Sequence, residues 1–140
     1  MQYDESGRAG HVVALILSVL EGLQSLGLQL PMPRDGNLRS LCRAMLAAPG
    51  DQRPLEAWAE TINTSARTLA RRFQSETGLS FGAWRQQARV LEAMGRLGGG
   101  ESVTQVALDL GYESVSAFSA MFHRATGAPP SQFRGRPQAQ

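Results

Sequence analysis

At 140 residues, with 42% apolar side chains and a formal net charge of +2, the chain can bury one ordinary core or two small ones. A lone Cys42 excludes an intramolecular disulfide, and the acidic N-terminus is not a secretory signal. The apolar run Val12–Leu20 is nine residues long where a bilayer needs about 20, so the chain reads as soluble and cytoplasmic.

Met1–Gly10 is polar and reads as a frayed tail. From His11 to about Leu26 a helix is expected that is apolar on most of its circumference, and such a helix must be covered by something. Val12, Leu15, Ile16, Val19, Leu23 and Leu26 are its candidate dimerisation or docking residues. Gly27 ends it. Pro31 and Pro33 then disfavour helix at the residues before them, so this stretch reads as an extended linker.

Asp35 precedes a second helix with Leu38, Leu41, Cys42, Met45 and Leu46 on one stripe, stopped at Pro49-Gly50-Asp51. A helix-turn-helix follows, from about 55 to 78, with Gly78 as its C-terminal stop. Ser80 caps a long helix through Leu97 that faces inward with Phe81, Trp84, Ala88 and Leu91. Gly98-Gly99-Gly100 terminates it. Ser102 and Gln105 form a capping-box pattern that opens a second helix-turn-helix, from about 102 to 127. Pro129-Pro130-Ser131-Gln132-Phe133 reads as a short closing helix with Phe133 turned back on the core. No strand pattern competes. The expected fold is all-α, about seven helices, with two helix-turn-helix subdomains joined by a long linking helix and preceded by an apolar one.

The two motifs are copies. Phe73-Gln-Ser-Glu-Thr77-Gly78 returns 49 residues later as Phe122-His-Arg-Ala-Thr126-Gly127. Leu55, Ala59 and Ile62 match Val103, Ala107 and Leu110 at an offset of 48, so one residue is inserted in between. The second helix of such a motif can enter a DNA major groove. In the first copy Leu69 and Phe73 point inward, which at 100° per residue turns Arg67, Arg71 and Gln74 outward, with Thr68 and Arg72 on the flanks. Arg67 and Arg71 lie one turn apart, within reach of neighbouring base pairs. In the second copy Phe118 and Phe122 point inward. Ser116, Ala120 and His123 face out, flanked by Ala117, Ser119 and Arg124. The first copy is therefore expected to specify and the second mainly to position. Ser65 and Ser114 read as N-caps whose helix ends can also hold a phosphate.

Charge follows the same division. Residues 1–51 hold four arginines against five acids, and residues 52–140 hold ten against seven. All 14 basic residues are Arg, the side chain suited to bidentate phosphate and guanine contacts. No Cys/His/Asp cluster has metal-ligand spacing, and the glycine run lacks the Lys of a phosphate loop. Trp58 and Trp84 sit among apolar residues, as core. No nucleophile has a base beside it, so neither an enzyme nor a cofactor is expected.

The stretch from Leu55 through Arg134 resembles the DNA-binding domain of the AraC/XylS family of bacterial transcription regulators. The similar segments include Ser65-Ala-Arg-Thr-Leu69-Ala-Arg71-Arg72-Phe73, Val106-Ala107, Leu110-Gly111-Tyr112-Glu-Ser114, Phe122-His-Arg124 and Gly127-Ala-Pro-Pro130. With the helix from Asp35 included, the resemblance covers roughly 100 of the 140 residues, placing the domain at 35–136 between an N-terminal region 1–34 and a tail 137–140. It implies recognition helices in successive major grooves of promoter DNA, and contact with RNA polymerase. The family's base-reading positions fall on Arg67, Ala70 and Arg71, then on Ser116, Ala117, Ser119 and Ala120. Ala70 and Ala120 replace the longer polar side chains often found there. Members usually carry an effector-binding or dimerising domain ahead of this one, and about 34 residues precede it here. A piece of a longer regulator and a short regulator without ligand input both fit. The His11–Leu26 helix allows a homodimer.

The main reading is a sequence-specific regulator that binds double-stranded DNA. A different class is a truncated family member that heterodimerises with, or antagonises, a full-length relative through His11–Leu26. A third, an enzyme built on Cys42, fails on the missing metal or activating cluster.

Overall fold

The computed structural model describes residues 30–135, and their secondary structure is helical throughout. Six α-helices succeed one another: α1 (Gly36–Ala47), α2 (Leu55–Thr61), α3 (Ala66–Thr77), α4 (Phe81–Gly98), α5 (Val103–Asp109) and α6 (Val115–Thr126). A turn of 3₁₀ helix at Pro130–Gln132 closes the order. The expected helix over His11–Leu26, with its docking residues Val12, Leu15, Ile16, Val19, Leu23 and Leu26, lies outside the described residues.

Most starts are set by one side chain each. The Asp35 carboxylate accepts from the Leu38 N–H at 3.0 Å. Ser65, Ser80, Ser102 and Ser114 accept in the same way from Thr68, Ala83, Gln105 and Ala117, at 3.0–3.1 Å. Each satisfies a helical N–H that has no intrahelical acceptor, an effect of about 1 kcal/mol. The capping box at Ser102 is only half formed, because the Gln105 amide donates to Asp109 at 2.8 Å instead of reaching back.

The duplication extends to the turns. Thr64 N–H donates to the Ala59 carbonyl at 3.1 Å, and Tyr112 N–H to Ala107 at 3.0 Å. Asn63 and Gly111, 48 apart, both take positive φ, 55° and 87°. The capping serines that follow are 49 apart, so the inserted residue is Glu113, after the turn has been made. Both copies end alike, with Gly78 and Gly127 left-handed and the hydroxyls of Thr77 and Thr126 donating to the Phe73 and Phe122 carbonyls at 2.7 and 2.8 Å.

Two cores result, and α4 belongs to both. Leu38, Leu41, Cys42 and Met45 of α1 pack with Trp58, Leu69, Phe73 and the Phe81, Trp84 and Ala88 stripe of α4. Phe73 meets Phe81 and Trp84 edge-on, with ring centroids 5.7 and 5.8 Å apart. Val90, Ala93, Met94 and Leu97 of α4 instead pack with Val106, Leu110, Phe118, Met121 and Phe122. Phe133 stacks edge-on against Phe122 at 5.1 Å, as the closing turn requires. At 100° per residue the two α4 stripes point about 160° apart. Leu91, expected on the first stripe, is half-buried against the second core.

The expected linker is extended over residues 30–33 but not free. Pro33 is fully buried, Leu30 and Met32 pack on the first core, and the Trp84 indole N–H donates to the Pro31 carbonyl at 2.7 Å. Glu76, at the end of α3, accepts from the N–H groups of Arg34 and Asp35 at 2.7 and 2.9 Å.

Candidate nucleic-acid interface

Arginine can hold a protein together or meet something outside it, and the structure sorts the two uses. Of the twelve arginines from Arg34 to Arg134, seven donate to a partner within the chain. Arg39, Arg85, Arg89 and Arg134 bond to backbone carbonyls, while Arg53, Arg72 and Arg96 pair with carboxylates. The side chains of Arg34, Arg43, Arg67, Arg71 and Arg124 make no hydrogen bond or ion pair with another described residue. Three of these five lie on α3 and α6, the second helices of the two motifs.

On α3, Leu69 and Phe73 are fully buried, and Arg67 and Arg71 are exposed one turn apart. Their helix begins at Ser65, whose hydroxyl also donates to the Thr68 hydroxyl at 3.0 Å, so Thr68 is held on the cap. Arg72 is placed differently. Its guanidinium pairs with Asp35 at 2.8 Å and ties α3 to the start of α1. The Leu38 N–H, assisted by Arg72, keeps the Asp35 carboxyl below the usual carboxylate range. Gln74 donates to the Gly78 carbonyl at 2.9 Å, closing the helix end. Ala70 is half-buried, and its small side chain leaves Arg67 and Arg71 as the long groups on this face.

On α6, Phe118 and Phe122 are buried, while Ser116, Ala117, Ala120, His123 and Arg124 are exposed and Ser119 is half-buried. Ser114 is the cap. The expected set lacks Val115, which is 38% exposed beside Ser119. Its place directly after the cap is the signal that marks it. The face is short-chained and nearly uncharged until Arg124, whereas α3 presents two guanidinium groups. Positive φ at Asn63 is a second missed feature, and it has no distinct sequence signal, since Asn occupies that region only occasionally.

Among the described residues no group of three His, Cys, Asp or Glu stands close enough to hold a metal ion, and no helix is long and apolar enough to cross a membrane. Cys42 is fully buried, and burial pushes its thiol up to about 12. A thiol held so is not a nucleophile at neutral pH.

Residues 58–136, most of both motifs, match the helix-turn-helix domain family. The chain belongs to the AraC/XylS family. Its relative NimR of Escherichia coli (strain K12), an HTH-type transcriptional regulator, is 38% identical over 109 residues, 78% of this chain and 40% of that one. This chain thus spans less than half the length of that relative. The DNA-binding domain of AdpA, a global transcriptional factor solved in complex with a target DNA, superposes with a TM-score of 0.64 at 32% identity, over 71% of this chain and 91% of that one. The C-terminal domain of AraT, a response regulator from Geobacillus stearothermophilus, shares the fold at a TM-score of 0.68 and 24% identity, over 76% of this chain and 92% of that one. In family terms, α2–α3 and α5–α6 are the two helix-turn-helix units and α4 is the linking helix.

Proposed function

We propose that this AraC/XylS family member is a sequence-specific regulator of transcription that binds double-stranded promoter DNA, with α3 in one major groove and α6 in the next. The observation that carries it is the exposed Arg67/Arg71 pair on α3, without a partner among the described residues, where seven of the ten other described arginines bond within the chain. An arginine that reads guanine donates two parallel hydrogen bonds to O6 and N7, and it must reach the groove with its guanidinium unspent. Arg67 and Arg71 meet that condition. Arg72 does not, and its role is to hold α3 against α1 so that its neighbours point correctly. Gln74 has a comparable role at the other end of the helix.

The α6 face supports a different contribution. Ser116, Ala117, Ser119 and Ala120 allow close approach to base edges, and apolar side chains can meet thymine methyl groups. His123 and Arg124 lie a turn further on, where a phosphate can be met. The N–H groups behind Ser65 and Ser114 are suited to phosphates at the groove edges. RNA polymerase is the further partner that the resemblance adds, and pairing of two copies through His11–Leu26 is the corresponding proposal for assembly.

The test is titration of a labelled duplex, selected by the unaltered protein, with the Arg71→Ala variant. The expected loss is about 1–3 kcal/mol of specific affinity, about 5- to 150-fold. Melting temperature should stay unchanged, because the side chain is exposed. Affinity of the unaltered protein should fall steeply as salt rises. Equal affinity of variant and parent removes base reading by Arg71.

A further inference from the structure

The two halves meet at a second place besides α4. The loop after α1 leans across the molecule onto the turn of the second helix-turn-helix. Gly50 lies so close that a β carbon there would stand 2.3 Å from the Asp109 carbonyl oxygen. Gln52 donates its side-chain amide to the Gly111 carbonyl. A β carbon at Gly111 would in turn meet the Gln52 amide nitrogen at 2.4 Å and the Gly50 carbonyl at 3.0 Å. The loop cannot sag away from this contact, because α4 clamps it. Arg89 donates to the Pro49 carbonyl at 2.9 Å and to the Asp51 carbonyl at 2.8 Å, and Arg85 donates to the Arg53 carbonyl at 2.5 Å. From the other side Arg96 pairs with Glu101 and Asp109, which holds the start of the same turn against α4.

A single helix is a poor reference for angle, since bending or twisting it swings one half against the other. A second contact, off the helix axis, removes that freedom. The turn it touches, Asp109–Tyr112, is the one from which α6 departs. We propose that Gly50, Gln52 and Arg89 are positioning residues of an intramolecular strut: loop 49–52 fixes the orientation of α6 relative to α3, and so sets the separation of the two half-sites that the protein accepts on DNA. This rests on the two-groove reading above.

Gly50→Ala isolates the contact, because the added carbon strikes only the Asp109–Gly111 turn and neither core. Gln52→Ala, at an exposed position, removes the hydrogen bond without adding bulk. One base pair inserted between the half-sites of the selected duplex is expected to cost the unaltered protein about tenfold or more in affinity, since it rotates one groove against the other. In both variants that penalty should shrink several-fold with affinity for a single half-site held, and in Gln52→Ala the melting temperature should also be held. A DNA-free measurement runs beside it: the distance between spin labels at Ser75→Cys and Gln132→Cys, with buried Cys42 unlabelled. The distribution should be narrow in the parent and shifted or broadened by Gly50→Ala. Unchanged distances in both variants overturn the strut. Changed distances with an unchanged spacing penalty overturn its role in half-site selection. If the parent binds no duplex, the two-groove reading fails, and the label distances still decide whether the strut holds.

Discussion

A guanidinium group that finds a carboxylate inside the chain is already satisfied there, as Arg72 is by Asp35, whereas an exposed one without such a partner keeps its donors for something outside. The exposure of Arg67 and Arg71 could be read from the sequence because helical periodicity puts them opposite Leu69 and Phe73. The diversion of Arg72 could not, since its partner Asp35 lies 37 positions earlier and meets it only once α1 has docked. The same ion pairs make the molecule sensitive to acid. Asp35 is held below the usual carboxylate range by the Leu38 N–H and then Arg72, Asp51 by Arg53, and Asp109 by Arg96 and then Gln105. A carboxyl with a lowered folded pKa contributes stability that is present above the unfolded value of about 3.9 and lost as pH falls through the folded one. Thermal melts should therefore be nearly level in this respect from pH 7 to about 5 and decline below about 4. Asp35→Asn should flatten part of that decline. An acid limb identical to the parent's would show that the Asp35 pair contributes nothing.

Helix boundaries were the most legible layer, because a cap is a local transaction. Asp35, Ser65, Ser80, Ser102 and Ser114 each bond within three residues, so the sequence holds both partners. The full capping box at Ser102 was less legible, because Asp109 one turn away competes for the Gln105 amide. The inner face of α4 was legible only in its first half. A helix that serves two cores changes stripe midway, and Leu91 continues the first stripe into a region governed by the second. Glycines in these elements give substitutions of opposite sign. Gly78 sits at φ 79° with open space around it, so Gly78→Ala should cost about 1–2 kcal/mol from backbone strain alone. Gly95 lies within α4, exposed and with nothing near its missing β carbon, so Gly95→Ala should stabilise by about 0.5–1 kcal/mol. Chemical denaturation of both variants checks the pair, and equal shifts in one direction would contradict the left-handed cap at Gly78 or the helical placement of Gly95.

At the scale of the whole molecule, the linking helix limits what the two motifs can reach together. The 18 residues of α4 span roughly 27 Å, while successive major grooves on one side of B-DNA lie about 34 Å apart. If α4 stays rigid, both recognition helices engage fully only when the duplex bends toward them. Fragments carrying the bound site at permuted positions should then migrate differently at saturating protein, and uniform mobility would exclude bending. The duplication made both halves visible in the sequence. The contact of Gly50 with the Asp109–Gly111 turn was not visible, because it joins residues 59 positions apart through backbone atoms that carry no residue signature. The most direct test of paired groove binding is selection of random duplexes by the intact protein, repeated with Arg71→Ala. The expected result is one motif with a strong block and a weaker one about a helical turn away, of which Arg71→Ala relaxes only the strong block read by α3. A single block, or no enriched sequence at all, would contradict it.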